Sequence, residues 1–265
     1  MVPDDVMADP TDPLGIAGTV LADKYRLEKV IGEGGFSVVY RAEHLIWKSP
    51  VAIKCFRVLA AAPENMRNEL LEGFIQEGKL MTSLSSKTAA IVQARDVGTF
   101  TSPSGDWIPY MVLEWLEGQS LDHVLWHEKK NGLPPRSLAD AMRLLEPAAV
   151  ALDVVHAANI AHRDIKPANF FVMGPARPAD GGAPPMVKIL DFGIAKVMAE
   201  HAGAAMAATG TSTVTAFTPN YGAPEQFSRT HGATGPWTDV FAVALVLVEM
   251  NRGTAALEGD DYLQL

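Results

Sequence analysis

A second cysteine is missing. Cys55 stands alone in 265 residues, so no disulfide can form within the chain, which suits a reducing compartment. A lone thiol in an apolar run reads more readily as a small core side chain than as a reactive group. No basic cluster breaks the acidic balance: 22 Lys and Arg stand against 31 Asp and Glu, for a net charge of −9. Such a chain binds nucleic acid poorly, and no nucleic-acid partner is expected. The surplus charge reads as solubility. No long hydrophobic run is present either. The longest, Val240–Val248, has nine residues, ends at Glu249 and is too short to cross a bilayer. The first 13 residues are acidic, carry three prolines and lack the basic start and apolar core of a signal peptide. No internal repeat occurs. The expectation is a cytoplasmic protein with no membrane segment in this chain.

What is present is a change of character along the chain. Residues 1–20 are rich in Pro, Asp and Gly and predict a flexible leader. Strands are expected at 25–31, 36–44, 51–58, 91–100 and 107–115, from their alternating or continuous apolar patterns. Ser102-Pro-Ser-Gly105 supplies the turn between the last two. Residues 65–84 place Leu70, Leu71, Phe74, Leu80, Met81 and Leu84 at helical spacing. From Ser120 helices dominate: 121–130, 137–158 with Pro147 inside, and a buried one at 237–250. Short strands are expected at 170–173 and 186–190, around a loop at 175–185. Residues 197–216 are low-complexity Ala, Thr, Ser and Gly. The segregation of strands from helices predicts an α+β chain of two lobes, 21–117 and 118–265.

Four motifs carry chemistry. His162-Arg-Asp-Ile-Lys-Pro-Ala-Asn-Phe170 sets Asp164, Lys166 and Asn169 at short fixed offsets, and Asp191-Phe192-Gly193 follows 22 residues after Asn169. A carboxylate to orient a hydroxyl, a cation, and two oxygen ligands suited to magnesium are what phosphoryl transfer requires. With one cysteine and no paired histidine motif, a zinc site at His162 is not expected. Ile31-Gly32-Glu-Gly34-Gly35 lies between two predicted strands, where glycines let phosphate oxygens approach backbone N–H groups. A dinucleotide-binding turn would need a helix next, and Val38-Val39-Tyr40 favours a strand. Val51-Ala52-Ile53-Lys54 is a strand with Ala52 and Lys54 on one face.

These residues resemble a bacterial serine/threonine protein kinase of the eukaryotic-like (Hanks) family, over about Tyr25–Met250. The resemblance implies a first lobe of a five-stranded antiparallel sheet plus one helix, and a mainly helical second lobe. It implies ATP-dependent transfer of the γ-phosphate to Ser/Thr hydroxyls of proteins, with Mg²⁺ as cofactor and Mn²⁺ as the alternative. By position it implies Asp164 as the base and Lys166 as the γ-phosphate contact. Asn169 and Asp191 would be the metal ligands. Lys54 would contact phosphates, held by Glu77, for which Glu69 and Glu72 are rivals. Ile31, Gly32, Gly34, Gly35, Val39, Ala52 and Leu113 would line the nucleotide site. Glu114 and Leu116 would bond adenine through their backbones. Phe192 would pack beside His162, and Asp239 would accept bonds from the catalytic-loop backbone. Thr218-Pro-Asn-Tyr-Gly-Ala-Pro-Glu225 resembles the substrate-docking block, with Thr218 against Asp164 and Lys166. The segment from Asp191 to Glu225 is 35 residues long, and Arg163 implies pairing with a phosphate within Thr209–Thr215 after autophosphorylation.

Two departures follow. The third family glycine is Ser37. The family also continues for several helices beyond the one at 237–250, and one of them supplies an arginine to pair with Glu225. Arg252 is a poor substitute for it. A fragment of a longer protein is the favoured explanation, beside a natural short variant stabilised by a partner and a degenerate product that folds poorly; each implies apolar surface exposed on the second lobe. A downstream regulatory domain or a second copy of the chain is the candidate partner beyond protein substrates and ATP. Two other readings stay open: a nucleotide-binding scaffold without catalysis, and a small-molecule phosphotransferase on the same fold.

Overall fold

The fold is taken from a computed structural model, which describes residues 12–35, 37–61, 64–178, 185–191 and 218–257. They fall into two compact units. One holds the described residues up to Thr82 together with Gln93–Trp115, and the other holds Ser83–Val92 and the described residues from Leu116 onward.

The first unit is built on a six-stranded antiparallel sheet in the order β1-β2-β3-β4-β6-β5. The strands are β1 (Val20–Leu21), β2 (Tyr25–Glu33), β3 (Val38–His44), β4 (Ser49–Cys55), β5 (Ala94–Thr101) and β6 (Trp107–Glu114). The expected five are present, and β1 adds a two-residue edge. β4 ends earlier than expected, because Arg57–Ala61 turns into a 3₁₀ helix. Alternation gives the sheet two unlike faces. Val38, Tyr40, Ala42, Val51, Ile53, Cys55, Ile108, Tyr110 and Val112 lie on one face and are buried in a single cluster. Val39, Ala52 and Leu113 lie on the other and are half-buried, with Ala52 paired to Leu113 and Val39 to Lys54. Helix α1 (Glu64–Ser85) buries Leu70, Phe74, Met81 and Leu84, as its apolar spacing dictates.

Residues 12–20 depart from the expected leader. Ile16 is 2% exposed within the apolar cluster, and Gly18 and Thr19 pair with Leu27. An apolar side chain with a cavity to fill orders this stretch despite its Pro-Gly composition, at about 1.5–3 kcal/mol per buried side chain. Residues 1–11 lie outside the described residues.

The second unit contains α2 (Leu121–Lys130), α3 (Leu138–Ala157), a short α4 (Pro224–Phe227), α5 (Pro236–Arg252), and the strands β7 (Gln119–Ser120), β8 (Phe170–Met173) and β9 (Met186–Ile189). Ser137 caps α3 by accepting a bond from Asp140 N–H at 3.1 Å, and α3 runs on through Pro147. α5 stops at Gly253, whose φ of 76° suits glycine. α3 buries Leu144, Leu145, Leu152 and Val155, and α5 buries Ala242, Val246 and Met250. Ser83–Val92 groups here rather than with the sheet because Val92 N–H donates to Ile189 O at 3.1 Å and Ile91 bridges Ile189. Gly118 opens β7, where a Cβ would overlap the Val172 carbonyl. The expected apolar exposure is found: Leu138, Met142 and Val150 on α3 and Trp237 and Val240 on α5 are each more than half exposed.

Candidate active site

The residues of the 162–169 loop are assembled by two side chains that hold its backbone. Asp239 has no exposed side-chain surface. Its Oδ2 accepts from His162 N–H and its Oδ1 from Arg163 N–H, both at 2.7 Å. Arg163 has a φ of 63°, a left-handed conformation that costs a non-glycine residue about 1–2 kcal/mol. The two charge-assisted bonds offset that strain. His162 is 1% exposed. Its Nε2 lies 2.8 Å from Leu190 O, so that nitrogen carries the hydrogen, and its Nδ1 accepts from Asp164 N–H at 3.3 Å. The histidine thus ties the loop to the strand end that leads into Asp191.

The chemical groups follow from this frame. Asp164 Oδ2 lies 3.2 Å from Lys166 Nζ and accepts from Asn169 Nδ2 at 3.2 Å. Asn169 Nδ2 also donates to Asp164 O at 2.6 Å. Both bonds use the amide nitrogen, so Oδ1 is the end of Asn169 that could face a metal ion. The hairpin of β8 and β9 closes the 22-residue gap: Phe170 pairs with Ile189, and Leu190 N–H donates to Asn169 O at 2.8 Å. Asn169 and Asp191 therefore stand at neighbouring ends of two paired strands. Asp191 adopts a φ of 57°. Two hard oxygen donors fit Mg²⁺, which takes one or two protein carboxylate-type ligands and completes its shell from phosphates and water.

Lys166 Nζ donates to Thr218 Oγ1 at 2.9 Å. The expected pair of Thr218 contacts is realised as one direct bond to Lys166, which links onward to Asp164. Glu225 Oε1 accepts from Thr238 Oγ1 at 2.6 Å, a neighbour on α5. Two further supports went unread in the sequence. His156 Nε2 bonds Asp239 Oδ2 at 2.8 Å, and Gln226 Nε2 donates to Arg163 O at 2.9 Å. His156 in the last turn of a helix reads as a dipole partner, and nothing local marks Gln226.

In the first unit, Gly34 N–H donates to Ser37 O at 2.9 Å, closing the turn between β2 and β3. Arg57 holds the same turn through Glu33 at 2.7 Å and Gly34 O at 3.0 Å. Gly32, Gly34 and Gly35 have no positive φ, and added Cβ atoms would meet nothing closer than 3.9 Å. Among the described residues, packing does not require glycine at 34 or 35. The open space beside the backbone is what a phosphate would need. Lys54 is buried on the face shared with Val39 and Ala52, with Nζ 5.3 Å from the Phe56 ring centre. Ile31 keeps 42% of its surface exposed. Glu114 N–H donates to Gln93 O at 3.0 Å. Leu116 belongs to the second unit. Glu77 is on α1, with its side chain outside the described residues, as are Phe192, Gly193 and Thr209–Thr215.

Comparison with known proteins agrees with this architecture. A family model described as the protein kinase domain matches residues 25–264. The chain is 33% identical over 91% of its length to the serine/threonine-protein kinase PknA of Corynebacterium glutamicum, covering 45% of that protein. It is 31% identical over 91% of its length to PknB of Mycobacterium tuberculosis, covering 34% of it. It is also 30% identical over 92% to pkn3 of Myxococcus xanthus, covering 40%. The chain belongs to the protein kinase domain family. It spans between about a third and just under half the length of these relatives. Members of the family use ATP and a divalent metal ion. Among the described residues no helix is long and apolar enough to cross a membrane.

Proposed function

We propose that this chain transfers the γ-phosphate of ATP to serine or threonine hydroxyls of proteins. The observation that carries the reading is the bonded set Asp164–Lys166–Asn169–Thr218, held beside Asp191. Asp164 would orient a substrate hydroxyl and accept its proton. Lys166, bridging Asp164 and Thr218, supplies positive charge where the transferred phosphoryl group develops charge. Asn169 Oδ1 and the Asp191 carboxylate would hold Mg²⁺, or Mn²⁺, which neutralises phosphate charge. Lys54 would contact the α- and β-phosphates, with Glu77 as the carboxylate that would hold it. Gly32, Gly34 and Gly35 would admit phosphate oxygens, while Ile31, Val39, Ala52 and Leu113 enclose the base and Glu114 and Leu116 bond it. The substrates would be cytoplasmic proteins, and one of them the chain's own Thr209–Thr215.

The test is transfer of labelled γ-phosphate to a protein acceptor and to the chain itself, by wild type and Asp164→Asn. Transfer by wild type alone supports the proposal. Equal signals would remove Asp164 from the mechanism. Nucleotide binding without transfer would favour a scaffold, and transfer to a small alcohol in preference to protein would favour a small-molecule phosphotransferase.

A further inference from the structure

The buried face of the six-stranded sheet is closed by the chain's own residues 12–19. Ile16 inserts among the buried residues that include Tyr40, Ile53, Cys55 and Tyr110, and Leu14 packs against them. Asp12 is the knot. Its Oδ2 accepts from Ala17 N–H at 2.7 Å, its Oδ1 accepts from Leu14 N–H at 3.2 Å, and the Tyr40 hydroxyl donates to Oδ1. Thr19 Oγ1 closes back on Ile16 O at 2.7 Å. Gly18 N–H donates to Leu27 O and Leu27 N–H to Thr19 O, each at 2.9 Å, so the segment joins the sheet beside β2. Tyr40 is fully buried, and without Asp12 its hydroxyl would sit in an apolar cluster lacking this acceptor.

The anchors of this segment alternate with the nucleotide-facing residues. Tyr40 follows Val39 on β3, and Cys55 follows Lys54 on β4; each pair points to opposite faces. We propose that residues 12–19 are a positioning strap: by gripping Tyr40 and the cluster around Cys55 from one face, they fix Val39 and Lys54 on the other. Asp12, Ile16 and Tyr40 are positioning residues and touch no nucleotide. This rests on the nucleotide reading of Val39 and Lys54 given above. Burial raises the Asp12 carboxyl, but hydrogen bonds from Tyr40, Ala17, Leu14 and Gly15 outweigh it and hold the group below its ordinary value, so it stays ionised as an acceptor. Burial and the nearby Asp12 charge push the Cys55 thiol up to about 12. An intact strap therefore leaves Cys55 inert to thiol reagents near neutral pH. As the chain's one cysteine, it reports strap opening directly.

The experiment compares the wild-type chain, Tyr40→Phe, Ile16→Ser and, as control, Tyr25→Phe. Tyr25 also donates to a carboxylate of this sheet, Asp96 at 2.9 Å, but not to the strap. The measurements are the rate of Cys55 labelling by a disulfide reagent, the affinity for a fluorescent ATP analogue, and KM and kcat for ATP. Both strap variants should label at least tenfold faster and bind the analogue at least fivefold more weakly. Their KM should rise in step while kcat stays within twofold, and Tyr25→Phe should match wild type. The proposal is overturned if labelling is unchanged in both strap variants, if Cys55 opens while affinity holds, or if Tyr25→Phe weakens affinity equally. If wild type itself binds no nucleotide, this reading and the proposed function fall together. If wild type binds and the strap variants equal it, only the strap falls.

Discussion

The two groups of candidate residues are held in opposite ways. In the second unit Asp164, Lys166, Asn169 and Thr218 bond to one another, on a loop pinned by Asp239 and His162. In the first unit the candidates present room: an exposed Ile31, half-buried Val39, Ala52 and Leu113, and glycines with empty space beside them. The difference separates two physical tasks. Stabilising charge as it develops requires dipoles and charges fixed beforehand, since reorganising them during reaction forfeits the gain. Enclosing a flat base and a chain of phosphates requires shape and access instead. Substitutions in the second unit should therefore act on rate, and those in the first on affinity.

The largest effect should come from Asp164→Asn. Loss of a positioned base lowers a rate by roughly 10²–10⁴-fold. Nucleotide affinity, measured by titration, should stay within about twofold. A parallel loss of affinity would break the division between the units.

Asp239→Asn should come next. Its two carboxylate oxygens serve three donors, and an amide offers one acceptor oxygen, so at least one bond is replaced by facing N–H groups. Removing one partner of a buried charge-assisted set costs about 3 kcal/mol, which denaturant unfolding would measure. The loop strained at Arg163 should relax, lowering kcat at least tenfold with ATP affinity preserved. A destabilised variant with full kcat would mean that Asp239 serves the fold alone.

Glu128→Gln sharpens the contrast from a distance. Glu128 joins α2 to Arg136 on the approach to α3, and to Arg177 at 3.0 Å. Burial raises its carboxyl, but bonds from Arg177 and Arg136 prevail and hold it below the ordinary 4.5. A depressed carboxylate stabilises the folded state above the unfolded value and loses that contribution as pH falls through the folded one. The variant should lose about 2–3 kcal/mol at neutral pH. Its gap to wild type should narrow below pH 4.5. Neither kcat nor ATP affinity should move where the variant is fully folded.

How far these features were legible depends on whether a contact is local. The offsets among Asp164, Lys166 and Asn169, the alternation of Ala52 and Lys54, and the helical spacing from Leu70 to Leu84 are short-range patterns that period and motif disclose. Asp239 was reached through the family resemblance rather than by spacing, because its partners lie more than 70 residues away. His156 and Gln226 went unread for the same reason, their bonds being set by how α3, α4 and α5 pack. The strap was misjudged because Pro, Asp and Gly mark chain freedom locally, while Ile16 and Asp12 respond to a cluster and a hydroxyl supplied by β3. Glu225 finds Thr238 because α5 folds back beside the 218–225 segment, a proximity absent from the linear spacing.

The smallest effect on the fold, and the sharpest test of the contrast, is Gly35→Ala. Gly35 has no positive φ, and among the described residues an added methyl meets nothing within 4 Å. Its removal should leave stability unchanged or raise it by about 0.4–1 kcal/mol, since alanine restricts the unfolded chain. The methyl would still occupy space that phosphate oxygens need, so ATP affinity should fall several-fold while kcat at saturation is retained. Thermal unfolding and nucleotide titration on one sample separate the two outcomes. Higher stability with weaker binding would show a glycine kept for the ligand, whereas unchanged binding would mean that the turn at 34–35 does not approach the phosphates.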